Sequence, residues 1–300
     1  MPTFSIQNFG CRATEADAAL LRERLRSRGL ALIDQTAAAD VVVLNTCTVT
    51  AAADSQAREA VRKIHRTNPS ARIVVSGCYA QRAPEELAAL PGVALVIGNS
   101  HFSSIPDVVC NSGSLLSPPA KDFIDLSAIT KPVSLRQSPA RILTGDIATP
   151  IELPLPARTT PEADRTRPIL KIQDGCNHKC AYCVIPFVRG RSRSLPPDAV
   201  VEEVRRLVSS GVKEIVLSGI NLGSYGRDLS PRAALDPLVE RILAETELER
   251  LRFSSIEPQD VTRDFIGLVA SSNRIAQHFH VPLQSGSDGI LRAMHRWYRA

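Results

Sequence analysis

From Ile169 onwards, β-rich runs alternate evenly with amphipathic stretches, and this alternation limits the possible fold more than any other feature of the chain. Candidate strands lie at Ile169–Gln173, Glu214–Ser218, Arg250–Ser255 and His278–Pro282. Candidate helices follow them at Asp198–Ser209, Pro237–Glu245, Val261–Ala270 and Asp288–Tyr298. Strands joined through helices of this length run parallel, because a crossover is needed to return the chain to the same edge. Four βα units without a reversal suggest a barrel of the TIM kind, with its chemistry in the loops after the strands. Closing an eight-stranded barrel takes four more units, so an incomplete barrel is expected over residues 167–300.

The N-terminal part also alternates. Thr3–Phe9, Asp40–Asn45, Arg72–Ser76 and Ala94–Ile97 are the strand candidates. Glu15–Arg28 places Leu20, Leu21 and Leu25 on one helical face, and Ser55–Arg66 does the same with Ala60, Val61 and Ile64. Residues 1–110 are therefore expected to form a small doubly wound, flavodoxin-like parallel sheet domain. Residues 111–166 contain Ser117-Pro118-Pro119 and prolines at 132, 139, 150, 154, 156 and 161, which predicts a connector. Within it, Phe123–Leu126 and Arg141–Leu143 have enough β character for edge strands. The fold class is α/β, with a sheet domain followed by a partial TIM-type barrel.

No apolar run approaches the roughly 20 residues of a membrane helix, and Met1–Gly10 lacks the basic and apolar regions of a secretory signal. A cytoplasmic location without membrane attachment is the default, and it keeps thiols reduced. Seven cysteines in such a chain point to ligands or catalytic groups rather than disulfides. The net charge of +5 permits a nucleic-acid partner without requiring one.

Cys176-x3-Cys180-x2-Cys183 directly follows a candidate barrel strand, where such enzymes keep their active sites. Three thiolates in one tight loop ligate three irons of a 4Fe-4S cluster and leave the fourth open to a reacting species. The rival is a zinc knuckle with His178 as fourth ligand, but residues 176–183 are crowded for a tetrahedral site of that kind. Cys11, Cys47 and Cys78 form a second set, each just past the carboxyl end of a candidate parallel strand, in the contexts Phe9-Gly-Cys, Asn45-Thr-Cys and Ser76-Gly-Cys. Carboxyl ends of parallel strands form the ligand crevice of open α/β sheets, so a second cluster is expected there. Three unrelated buried thiols are the alternative, and simple packing suffices for Cys110.

The C-x3-C-x2-C spacing with Tyr182 before its last cysteine resembles the radical S-adenosylmethionine (SAM) signature. With both cysteine sets, residues 3–300 are similar to the methylthiotransferases. Matching stretches include Gly10-Cys-Arg, Asn45-Thr-Cys-Thr-Val-Thr, Ser76-Gly-Cys-Tyr-Ala-Gln-Arg, Pro186 with Arg189-Gly-Arg, Gly219-Ile-Asn-Leu-Gly-Ser-Tyr-Gly226 and His280-Val-Pro-Leu-Gln-Ser-Gly286. Gln173-Asp174-Gly175 and Ser254-Ser-Ile-Glu-Pro258 most resemble the branch acting on N6-threonylcarbamoyladenosine beside the tRNA anticodon.

This resemblance implies two 4Fe-4S clusters and SAM as cofactors. Cys176, Cys180 and Cys183 would hold the catalytic cluster that splits SAM into methionine and a 5′-deoxyadenosyl radical. Cys11, Cys47 and Cys78 would hold the cluster carrying the sulfur, and the methylthio group would join C2 of the adenine. Tyr182 would flank the SAM adenine, and the turn containing Gly219 and Asn221 would receive the SAM amino group. Glu257 and Gln284, ending barrel strands, are further candidates at the cofactor. A tRNA anticodon loop, an electron donor protein and a sulfur donor are the implied partners, with Arg189, Arg191 and Arg193 as candidate phosphate contacts. The family also has a complete barrel and a C-terminal RNA-binding domain, so truncation is expected at Ala300. Rival functions are the same chemistry on isopentenyladenosine in tRNA or on a ribosomal protein aspartate, and a non-catalytic iron-sulfur protein.

Overall fold

A computed structural model describes residues 1–111, 140–149, 153–154 and 167–300. Its contacts divide into two compact units: Met1–Gly10 with Leu21–Gly145, and Cys11–Leu20 with Asp146–Ala300. The expected edge strand at Phe123–Leu126, and most of the expected connector, lie outside the described residues.

The first unit is built on a six-stranded sheet. Its strands are β1 (Thr3–Asn8), β2 (Ala31–Leu32), β3 (Val41–Thr46), β4 (Arg72–Gly77), β5 (Val93–Gly98) and β6 (Arg141–Leu143). They run in the order β2-β1-β3-β4-β5-β6, and every pairing is parallel. The first five follow the flavodoxin-like doubly wound order, whose strand order reverses between β1 and β3. The sequence pattern overlooked β2, which is only two residues long. Every residue of β3 is buried, as expected of a central parallel strand covered on both faces. Helix α1 (Arg12–Ser27) buries the expected Leu20, Leu21 and Leu25. Helix α2 (Ala51–Thr67) starts at Thr50, whose hydroxyl accepts from the Ala53 N–H at 3.2 Å. It buries Ala57, Val61 and Ile64 against the sheet. Short helices α3 (Cys78–Arg82) and α4 (Pro84–Ala88) lead into β5, and α5 (Ile105–Asn111) follows it.

The second unit has a parallel sheet of β7 (Ile169–Lys171), β10 (Glu214–Ser218) and β11 (Arg250–Phe253), with β10 in the centre. The expected strand Ile169–Gln173 is broken after Lys171. Its continuation, β8 (Gln173–Asp174), pairs antiparallel with β9 (Arg193–Ser194). Helices α7 (Pro197–Ser209), α8 (Leu235–Glu245) and α9 (Arg263–Ser271) cover the sheet with Val200, Val204, Leu238, Val239, Ile242 and Phe265. Before α7 comes a short helix, α6 (Ile185–Arg189), and α10 (Asp288–Ala293) comes last.

The fourth expected strand, His278–Pro282, does not form. Two isolated bridges, Leu251↔Ile275 and Ser255↔His280, stand in its place. Most of 277–284 is exposed, and among the described residues no further strand pairs with it, so a ladder would gain few hydrogen bonds and little burial. Aromatic packing holds the segment instead. Phe279 stacks on Phe253 at 5.9 Å and meets Phe265 edge-on at 5.6 Å. The final helix is likewise shorter than the expected Asp288–Tyr298.

Candidate functional site

Residues 175–192 form the cysteine loop, and its base is pinned from several sides. The β8·β9 pairing matches Gln173 with Ser194 and Asp174 with Arg193, and the Cys176 N–H donates to the Gly190 carbonyl at 3.0 Å. Gln173, fully buried, acts as the hub. Its Nε2 donates to the Asp174 and Gly175 carbonyls at 2.9 and 2.8 Å and to Ser192 Oγ at 2.9 Å. Its Oε1 accepts from the Asn221 N–H at 2.8 Å. A single amide thus ties the start of the cysteine loop to the turn after β10. A polar side chain near the end of an apolar strand is the sequence signal for such a hub, since a buried amide must find partners.

The three cysteines of this loop are partly buried. Burial pushes the Cys176 and Cys183 thiols up, so the protonated forms are favoured until a metal displaces the protons. Cys176 Sγ accepts from the His178 N–H at 3.4 Å and lies 3.9 Å from Asn221 Nδ2. His178 contacts Asn221 Nδ2 through Nδ1 at 3.5 Å and tilts against the Trp297 ring at 5.7 Å. Among the described residues, no three His, Cys, Asp or Glu side chains stand close enough together to hold one metal ion. A cluster asks for less convergence, because each thiolate bonds a different iron.

The turn after β10 suits a polar ligand. A Cβ on Gly219 would lie 2.8 Å from Gln173 Oε1, so a side chain there would disturb the hub. Asn221 is 5% exposed, and its Oδ1 is buried without a hydrogen-bond partner. The hydroxyl of Ser254, just past β11, is in the same state. Unpartnered buried acceptors are costly, and a bound ligand would relieve that cost. Tyr182 is half exposed, with its hydroxyl 3.4 Å from Arg296 Nη1. Glu257 pairs with Arg296. Gln284 is exposed, and its N–H donates to the Tyr298 hydroxyl at 3.0 Å.

The three loop arginines differ from the sequence expectation. Arg189 is 2% exposed and is held by Asp17 and Asp174, so it is a structural cation and not a phosphate contact. Arg193 also pairs with Asp174 and donates to the Arg189 carbonyl at 2.6 Å. Arg191 alone of the three is exposed. Lys171 completes the buried group by pairing with both Asp17 and Asp174.

In the first unit, Cys47 and Cys78 directly follow Thr46 and Gly77, which are register partners on neighbouring strands. Cys47 Sγ accepts from the Val49 N–H at 3.5 Å, and Cys78 Sγ accepts from Asn99 Nδ2 at 3.6 Å. Gly77 has φ +98, and a Cβ there would lie 2.3 Å from the Thr46 carbonyl oxygen, so only glycine serves before Cys78. Cys11 is exposed and lies three residues past β1, before a helix whose first half packs within the second unit. Cys47 and Cys78 follow β3 and β4, the strands at and beside the order reversal, where doubly wound sheets bind ligands. Cys110 is half-buried in α5, and burial raises its thiol pKa.

Residues 3–98 match the family described as Uncharacterized protein family UPF0004, and residues 170–300 match the Radical SAM superfamily. The chain is 36% identical over 298 residues to the threonylcarbamoyladenosine tRNA methylthiotransferase MtaB of Bacillus subtilis (strain 168), covering 99% of this chain and 61% of that protein. It is 34% identical to the same enzyme of Aquifex aeolicus (strain VF5), covering 98% and 66%. It is 30% identical to the tRNA-2-methylthio-N(6)-dimethylallyladenosine synthase of Moorella thermoacetica, covering 99% and 62%. The chain therefore spans 61 to 66% of the length of these relatives. Among solved structures, the radical SAM methyltransferase TsrM of Kitasatospora setae superposes with a TM-score of 0.64 at 15% identity, covering all of this chain and 63% of that one. At that identity, the likeness concerns the fold.

Proposed function

Because the chain belongs to the radical SAM methylthiotransferase family, we propose that it adds a methylthio group to C2 of N6-threonylcarbamoyladenosine next to a tRNA anticodon. The carrying observation is the pinned loop of Cys176, Cys180 and Cys183 at the carboxyl end of a parallel sheet, beside a turn with an unpartnered buried acceptor. Four relatives sharing 32 to 36% identity are named threonylcarbamoyladenosine enzymes, against 30 to 32% for those named dimethylallyladenosine synthases, which favours the former substrate.

Cys176, Cys180 and Cys183 would hold one 4Fe-4S cluster, and Cys11, Cys47 and Cys78 a second. Residues 1–110 would be the sulfur-donating part and 167–300 the radical-generating part, with Arg141–Leu143 of the intervening segment adding the sixth strand to the first sheet. When bound, the cluster and SAM supply the radical that removes a C–H hydrogen no side-chain base can take. The chain's own residues bind and orient. Gly219 allows backbone approach at the turn after β10, Asn221 Oδ1 accepts from an ammonium or hydroxyl of the cofactor, and Tyr182 offers a ring face to its adenine. Glu257 would act through Arg296, with which it pairs, and Gln284 stays a candidate at the cofactor. The fold must also enclose the site, because a carbon radical would otherwise take hydrogen from the wrong C–H or S–H bond. Of the three basic residues, the exposed Arg191 would be the one to meet phosphate, and an anticodon loop presents bases already free of a duplex. Reduction and resupply of sulfur require an electron donor protein and a sulfur donor, as suits a cytoplasmic enzyme.

Mass spectrometry of tRNA nucleosides from a strain lacking the gene tests the assignment. The methylthio form of threonylcarbamoyladenosine should vanish, while methylthio-isopentenyladenosine persists. An unchanged level of the former would overturn the substrate, and failure of the reduced, reconstituted protein to cleave SAM would favour a non-catalytic iron-sulfur protein.

A further inference from the structure

Arg296 lies 116 residues beyond Cys180 in the chain, yet its Nη1 donates to Cys180 Sγ at 3.3 Å. The same nitrogen lies 3.4 Å from the Tyr182 hydroxyl, and the guanidinium pairs with Glu257 and covers the Tyr298 ring at 5.2 Å. The arginine side chain is only 4% exposed. Two neighbouring contacts clasp this segment to the cysteine loop. The Ala181 N–H donates to the Met294 carbonyl at 3.1 Å, and His295 Nδ1 lies 3.2 Å from the Lys179 carbonyl.

We propose that Arg296, held in place by Glu257, is the residue that tunes the reduction potential of the cluster on Cys176, Cys180 and Cys183, through a charge-assisted hydrogen bond to the Cys180 sulfur. This rests on the assignment of a cluster to those three cysteines. Reduction adds negative charge to a cluster and its thiolates, so a fixed cation donating to a ligand sulfur stabilises the reduced form more than the oxidised one. Low exposure keeps water from screening that effect. Glu257 is a counter-charge, but it sits on the guanidinium and not on the sulfur, fixing the donor while leaving Nη1 to Cys180. Arg296 is thus a positioning and tuning residue, and its effect reaches the reaction through the cluster.

The test is an EPR-monitored redox titration of the anaerobically reconstituted full chain, with this cluster identified by the response of its signal to added SAM. Arg296→Met and Arg296→Gln should keep wild-type iron content and shift the midpoint to more negative potential, and Arg296→Lys should recover part of that shift. A wild-type midpoint in an iron-replete Met or Gln variant would overturn the proposal. Loss of iron from both would make Arg296 a structural latch and overturn it too. Absence of a SAM-responsive signal in the wild-type protein would instead refute the cluster assignment on which it rests.

Discussion

Arg189 places its Nη1 3.1 Å from both carboxylate oxygens of Asp174, with the two side chains 2% and 4% exposed. Its Nη2 reaches Asp17 Oδ2 at 2.9 Å, Lys171 Nζ lies 2.9 Å from Asp174 Oδ2, and Arg193 Nη2 lies 3.2 Å from the same oxygen. Burial alone would push the Asp174 carboxyl up, but Lys171, Arg189 and Arg193 outweigh it and hold the group well below the usual carboxylate range. A carboxylate with a depressed folded-state pKa contributes stability that is fully present above its unfolded value, about 3.9, and is lost as pH falls through the folded value. Denaturant stability should therefore be insensitive to this group near neutrality and should decline as pH drops below about 4. Asp174→Asn should cost about 3–5 kcal/mol at pH 7, because it leaves buried cations uncompensated. Urea titrations of both proteins between acid and neutral pH check this, and a loss under about 1 kcal/mol would show that the network relaxes around the amide.

Iron content separates the two cysteine sets. Wild-type protein prepared without oxygen should carry about eight irons per chain, and alanine at any one of Cys176, Cys180 and Cys183 should leave about four and abolish the SAM-responsive EPR signal. Alanine at Cys11, Cys47 or Cys78 should also leave about four, but with that signal retained. Iron and sulfide assays with EPR make the comparison. Wild-type protein with about four irons would remove the N-terminal cluster.

Asn221→Ala should weaken SAM binding about tenfold, or about 1.4 kcal/mol, by removing one buried hydrogen-bonding group. Gly219→Ala should do at least as much, since its Cβ would press on the Gln173 oxygen that accepts from the Asn221 N–H. Calorimetric titration with SAM should show these losses at unchanged iron content. Equal affinity in both variants would place the cofactor elsewhere.

Arg191→Ala should weaken tRNA binding at every sequence and lower the salt slope of log K by about one. Arg189→Ala should instead destabilise the fold, because it leaves Asp17 and Asp174 short of a partner. Binding curves at several salt concentrations, paired with thermal melts, distinguish the two effects.

Periodicity and spacing were sufficient for the central strands of both parallel sheets, most of the helices that cover them, and the cysteines that follow strands, because those features are written in residues close together in the chain. Arg189, Arg191 and Arg193 look alike in sequence, as alternate members of one basic loop. Only the fold buries the first against Asp17, 172 residues earlier, and leaves the second exposed. The strand expected at His278–Pro282 has suitable residues but lacks a ladder, since strand formation depends on a partner edge and not on local propensity alone. Arg296 carried no local signal. Its contact with Cys180 arises because Met294 and His295 meet the carbonyl and amide groups of the cysteine loop. Local patterns encode which backbone forms, whereas burial and the pairing of distant charges depend on which elements pack together, and at this site those pairings decide which side chains face the chemistry.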